Sequence, residues 1–340
     1  MQQDNYVTIV KNSLNSINYK NDVNYKDVVL AFKKTIDENK DLILTTNNID
    51  ITNETGKKID FKVIDNIFER VLLEDLVYGT VTLSKHDKNR KIIYGRQIYN
   101  KGNILVVFDG DFYVLLELII RNILANNSVI FNYPSYNFAL NTLFITFIQS
   151  VLEKSNFNPL QIQQYVSSSL EILNCTNSFS LVVSCCEEER QKEVLINSHY
   201  PVLLLDYTNY NIYVEDSDNV SFINEIISLG INFTLYVKEH IGVEADMAIY
   251  VSDCEEAIGQ INMSKSSYGT AIFTKDMNNA SMFIKKVNSK IVTVNTSPTI
   301  ERVLDIKQSD LYNEKTIVYP GDFNIIDEKS IRVEKIYKVR

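Results

Sequence analysis

The sequence predicts an α/β protein built on parallel sheet, and three observations carry that expectation. Short, mainly apolar, β-rich runs recur through the middle of the chain: "NILVVF" (103–108), "SVIFN" (128–132) and "FSLVVS" (179–184). Strands apolar along their whole length suit a parallel sheet covered on both faces. Segments with helical periodicity separate these runs, as right-handed crossovers between parallel strands require. The chain has 340 residues, 45% of them hydrophobic and 23% charged, enough for two domains and a large core without disulfides.

Taken in order, residues 1–75 read as helices. In "NYKDVVLAFKKTIDENKDLILTTN" (24–47), Val28, Val29, Phe32 and Ile36, then Leu42 and Ile43, fall on one helical stripe. "FKVIDNIFERVLLEDLVYG" (61–79) repeats the pattern and ends at Gly79, a C-cap residue. Residues 80–100 alternate around polar turns, and "KIIYGRQIYN" (91–100) reads as an exposed hairpin or arm. Then follow a strand at 103–108, a buried helix at 112–125, a strand at 128–132, a long helix at 137–155, a strand at 179–184, a helix at 187–198 and "PVLLL" (201–205). Further on, "NIYV" (211–214) and "FTLYV" (233–237) read as strands around a helix at 219–229. Strands at 247–252, 269–274 and 290–295 alternate with helices at 254–264 and 276–288. The tail, 315–340, has strand character and a Pro-Gly turn.

Composition excludes several classes of function. The net charge is -9, and no dense Lys/Arg block offers a nucleic-acid face; "KHDKNRK" (85–91) reads as a solvated turn. The longest apolar run, "FYVLLELIIRNILA" (112–125), holds Glu117 and Arg121 and is too short to span a bilayer. The opening residues have no apolar signal region, and four cysteines then suggest free thiols in a reducing compartment, so a cytoplasmic location is expected. Glycine is scarce, 10 residues, about 3% against a usual ~7%. Enzymes that hold nucleotides spend glycines where backbone approaches phosphate.

Three longer words carry a family resemblance: "AIFTKDMNNASMFIKKVNSKIVTVNTSPT" (271–299), "PVLLLDYTNYNIYVEDSDNV" (201–220) and "GNILVVFDGDFYVLLELIIRNILANNSVIF" (102–131). In order and spacing they resemble the aldehyde dehydrogenase superfamily, and the branch they look most like is gamma-glutamyl phosphate reductase. The resemblance implies a Rossmann-type parallel sheet, a reduced second α/β lobe and a β oligomerisation arm. It divides the chain into N-terminal helices and arm (1–100), a former cofactor domain (101–228), a catalytic-domain remnant (229–302) and a C-terminal β-arm (303–340). It further implies NADP-dependent reduction of an acyl phosphate through a cysteine thioester.

The positions that such chemistry needs are altered. The region matching the nucleophile loop, 227–250, has no cysteine, and Lys238 lies near the nucleophile's place. The oxyanion donor is matched by Phe112-Tyr113, and a phenol is the one group there able to donate. The segment matching the nucleotide-holding loop is "NYPSYN" (132–137), from Asn132 through Ser135, with neither Lys nor Gly. A phosphate-holding Arg-Gly-Gly loop is matched by Cys185-Cys186-Glu187, followed by Glu188 and Glu189. Carboxylates at a helix start favour the helix dipole and repel a pyrophosphate. The glycines after "PV" become Leu205, Asp206 and Thr208.

Read without the family, Cys185 is a strand-end thiol packed as a small hydrophobe, with Cys186 its exposed neighbour. No zinc spacing includes His199, and His86 and His240 are surface histidines. Cys254 sits at a predicted helix start, where a thiol pKa can fall, yet Glu255 and Glu256 oppose the thiolate and Asp253 is placed to cap. The joint loss predicts a non-catalytic protein without cofactor, dimeric through its β-arm and able to accompany an active relative, with no metal site. The alternative is an NADP-dependent reductase with Cys254 or Cys186 as an unusual nucleophile. Tyr113, Tyr133 and Tyr207 filling the cleft would count against that alternative.

Overall fold

The computed structural model describes residues 3–16, 24–52, 59–74, 78, 81–87, 92–134, 138–205, 210–216, 233–239, 241, 248–263, 269–296, 306–320 and 331–332. The chain divides into two compact units. One comprises 1–184, 188–204 and 306–340, the other 185–187 and 205–305. The expected junction at 228/229 thus differs from the observed one at 204/205. The reason is strand pairing: 210–214 hydrogen-bonds to 233–238 and 269–273, not to the first sheet.

The larger unit opens with α1 (Gln3–Leu14), α2 (Tyr25–Glu38), α3 (Lys40–Thr52) and α4 (Phe61–Leu73). The stripe Val28, Val29, Phe32 and Ile36 is buried. It does not continue to Leu42, which is 47% exposed, because Asn39 ends α2 and α3 starts with a new phase. The buried face of α3 is Ile43, Asn47 and Asp50. Gly79 lies outside the described residues.

Next come β1 (Val81–Asp87), β2 (Ile92–Asn100), β3 (Asn103–Phe108), α5 (Phe112–Leu124), β4 (Ser128–Tyr133), α6 (Phe138–Lys154), β5 (Ile162–Val166), β6 (Leu181–Cys185), α7 (Glu188–Asn197) and β7 (Val202–Leu204). One sheet has the order β5-β4-β3-β6-β7, with β3, β4 and β6 wholly buried. The pairs β3–β4, β4–β5 and β6–β7 are parallel. Strand β5 escapes an apolar reading because Gln163 and Gln164 interrupt it. Both amides find partners, Gln163 donating to the Ile9 carbonyl (3.1 Å) and Gln164 accepting from the Tyr133 hydroxyl (2.5 Å).

The smaller unit holds β8 (Tyr210–Val214), β9 (Phe233–Lys238), β10 (Ala248–Val251), α8 (Cys254–Met263), β11 (Gly269–Phe273), α9 (Met277–Lys286) and β12 (Ile291–Val294). Its strands, in the order β10-β9-β8-β11-β12, are all parallel. The helix expected at 219–229 lies outside the described residues. The arm consists of β1, β2, β13 (Tyr312–Pro320) and β14 (Ile331–Arg332) in the order β13-β2-β1-β14. Strand β2 pairs antiparallel with β13 from Asn100↔Tyr312 to Ile92↔Pro320. Among the described residues no helix is long and apolar enough to cross a membrane.

Helix α5 is buried on every face, yet it carries two charges. Arg121, 1% exposed, reaches Glu117 Oε1 (2.9 Å) and Glu74 Oε1 (2.7 Å), and Arg70 holds the other Glu117 oxygen (2.6 Å). Gln308 donates its backbone N–H to Glu74 (3.1 Å) and its side-chain amide to the Arg121 carbonyl (2.8 Å). Removing one member of a buried network strands its partner's charge and costs about 3–5 kcal/mol, whereas an exposed pair contributes under about 1 kcal/mol. Arg121→Met is therefore expected to lower unfolding free energy by about 3 kcal/mol in urea titrations. Arg96→Met, which breaks an exposed pair with Glu314, is expected to shift it by less than about 1 kcal/mol.

Candidate functional site

In open parallel sheets ligands sit beyond the carboxyl ends of the strands, where the strand order reverses. That point falls between β3 and β6 in the first sheet and between β8 and β11 in the second.

At the first edge, Gly110 follows β3 with φ +94°, a conformation that favours glycine, and Asp111 caps α5 by accepting from the Tyr113 N–H (2.9 Å). The Tyr113 phenol is not aimed at a substrate. It accepts the Asp60 N–H at 2.8 Å, at the start of α4. Asn132 is fully engaged: its amide donates to the carbonyls of Tyr165 (3.1 Å) and Ser167 (2.9 Å), and its oxygen accepts from Arg190 (3.2 Å). Tyr133 is buried, and burial pushes its phenol well above the usual range. Asp50, from α3, caps α6 by accepting the Leu140 N–H (3.0 Å); burial raises its carboxyl above the usual range. Ser135, Asp206, Tyr207 and Thr208 lie outside the described residues; Leu205 is buried.

Of the adjacent thiols, Cys185 is buried as expected, but Cys186, expected to be exposed, is buried too, at 3% exposure. Cys185 is the last residue of the wholly buried β6, and Cys186 follows it directly. Glu187 is exposed just before α7, and Glu188 and Glu189 form its first turn. Lys192 answers Glu188 at 2.8 Å. His199 is exposed, and among the described residues no three His, Cys, Asp or Glu side chains converge as a metal site.

The second edge is built around Glu215, directly after β8 and 8% exposed. Its Oε1 accepts from Lys238 (3.1 Å) and Asn279 (2.8 Å), and its Oε2 from Thr274 (2.6 Å) and Asn279 (3.0 Å). Burial pulls this carboxyl upward, but bonds from Thr274, Asn279 and Lys238 outweigh it and hold it below its ordinary value. Asn295, at φ +53° after β12, ties Thr274 through both backbone groups (2.9 and 3.0 Å). Lys238 ends β9 and is spent on Glu215 rather than presented to a substrate. Cys254 does open α8, and Asp253 caps it by accepting the Glu256 N–H (2.9 Å). Cys254 nevertheless belongs to the buried cluster of Tyr213, Ala257 and Phe283, with its sulfur 3.9 Å from the Asn279 carbonyl oxygen. Burial first, then the charges of Glu215, Asp253 and Glu255, push the thiol up to about 12.

No protein-family model matches the sequence, and none of the curated proteins does. Solved structures match along nearly the whole chain. Gamma-glutamyl phosphate reductase of Saccharomyces cerevisiae is 17% identical over 95% of this chain and 99% of its own, with a TM-score of 0.53. The Thermotoga maritima reductase is 16% identical over 92% and 98%, with a TM-score of 0.58. Betaine aldehyde dehydrogenase of Staphylococcus aureus, in complex with NAD+, is 12% identical over 96% and 89%, with a TM-score of 0.74. The fold is that of the aldehyde dehydrogenases. Identity is higher with the two reductases and the TM-score higher with the Staphylococcus enzyme.

An aldehyde dehydrogenase fold implies a nicotinamide dinucleotide at the first edge, and the residues present do not fit one. A pyrophosphate needs free N–H donors at a helix start, or cations. Here α5 is capped by Asp111 and α6 by Asp50, while α7 begins with Glu188 and Glu189 and its one first-turn cation, Arg190, is directed to Asn132. The second edge offers no poised thiol and an engaged lysine. Glu215→Gln is expected to destabilise the protein by about 2 kcal/mol at pH 7, because charge-assisted bonds are lost. The carboxyl's folded pKa lies below its ordinary 4.5, so the wild-type advantage is complete above that value and shrinks as pH falls through the folded pKa. Urea titrations of both proteins from pH 3 to 7, on the order of one unit apart, measure it.

Proposed function

We propose that this chain is a non-catalytic protein with the aldehyde dehydrogenase fold, a pseudoenzyme that acts structurally or as a regulator through assembly. The carrying observation is the state of its thiols. All four cysteines are described: Cys185, Cys186 and Cys254 are buried, and Cys175 is half-buried with its thiol raised by burial. Burial and the surrounding carboxylates disfavour the Cys254 thiolate, the form that thioester chemistry needs. The altered helix starts at the first edge support the same reading, and no cofactor is required by it. Assembly as a homodimer through the β-arm, alone or with an active relative, fits an exposed sheet edge that needs a partner. A cytoplasmic site of action accords with four free thiols.

Native protein treated with iodoacetamide at pH 7.5 and read by mass spectrometry is expected to alkylate at Cys254 and Cys186 at least about a hundredfold more slowly than a free thiol. Calorimetry with NADPH is expected to show no saturable heat. Rapid labelling of either cysteine, with NADPH-dependent reduction of an aldehyde or acyl phosphate lost in the Ser variant, would establish the alternative reductase.

A further inference from the structure

The first edge carries more than missing phosphate ligands; it carries a bridge. Arg190 stands in the first turn of α7, and its Nη2 donates to Asn132 Oδ1 at 3.2 Å. Helix α7 follows β6, Asn132 lies near the carboxyl end of β4, and the sheet order places β3 between those strands. The hydrogen bond therefore crosses the carboxyl end of β3, beside the point where strand order reverses. The Asn132 amide is held by the Tyr165 and Ser167 carbonyls, which sets the direction of its oxygen. Arg190 is half-buried, and its Nε is shielded from solvent with no hydrogen-bond partner among the described residues.

The geometry points to a built-in closure: the Arg190–Asn132 bridge shuts the nucleotide crevice of the first sheet, and Glu188 and Glu189 add a barrier of negative charge. This rests on the non-catalytic reading above and goes further, because exclusion becomes an active property of named side chains. The class of ligand excluded is a nicotinamide dinucleotide, whose pyrophosphate would have to pass the acids and displace the bridge. Lys192 offsets the charge of Glu188 in part, so the bridge is the larger obstacle.

The test is titration with NADPH, followed by its fluorescence, of four folded proteins compared by circular dichroism and thermal midpoint. Wild type and Glu188→Gln/Glu189→Gln are expected to show no saturation. The triple variant that adds Arg190→Ser is expected to saturate, with apparent affinity raised at least about tenfold. A fourth protein, with Arg190→Gln in the same background, is expected to gain binding as well, and keeps the test open if the serine variant does not fold. A folded triple variant with no gain overturns the closure. So does a double variant that binds as tightly as the triple, because the bridge would then exclude nothing. Saturable binding by wild type overturns the non-catalytic reading instead; the bridge is then judged by the triple-to-wild-type affinity ratio, and a ratio of one overturns it.

Discussion

One buried arginine fixes the geometry of the larger unit. Arg121 lies in a helix with no exposed face, so its charge has no solvent to answer it and must be met by Glu117 and Glu74. Meeting it brings α4 against α5 through Arg70 and Glu74. It also draws in the segment at Gln308, whose amide closes on the Arg121 carbonyl. Strand β13 begins four residues later, and Asn127 holds the Leu311 carbonyl at its root (2.6 Å). The arm thus leaves the unit from a place set by an internal charge. Ion pairs of this kind are poor sources of net stability but strict about partners, which suits an element that fixes where an assembly strand emerges.

The same inward use of polar groups marks both carboxyl edges. Parallel sheets gather loop ends and helix starts at one edge, and enzymes leave donors unsatisfied there for ligands. This chain satisfies them itself. Asp111 and Asp50 hold the N–H groups of α5 and α6, Arg190 closes on Asn132, and Glu215 collects Lys238, Thr274 and Asn279. A carboxylate that accepts four close contacts is held ionised and in place, and its charge helps keep Cys254 protonated. Stabilising the fold and raising the Cys254 thiol are here one arrangement.

Much of this was legible in the sequence. The wholly buried strands β3, β4 and β6 announce themselves because their residues are mostly apolar, and "CCEEER" already sets three acids at a helix start. What stayed hidden depends on partners distant along the chain. Strand β5 reads as polar because Gln163 and Gln164 are satisfied by residues over a hundred or some thirty positions away. The buried face of α3 is polar because Asp50 serves another helix. Cys186 reads as exposed because it lies beyond the end of an apolar strand and beside three acids, yet it is buried. Glu215 leaves one trace, an acid directly after an apolar strand. Arg190 leaves less, since a basic residue after three acids reads as an ordinary helical pair.

The most direct measurement is a crystal structure determined after soaking with NADP at millimolar concentration. The account predicts the Arg190–Asn132 bridge intact, the Glu215 cluster closed and no dinucleotide density at the carboxyl edge of the first sheet. An ordered pyrophosphate at the start of α7, with Arg190 turned from Asn132 to meet it, would contradict the account at its centre.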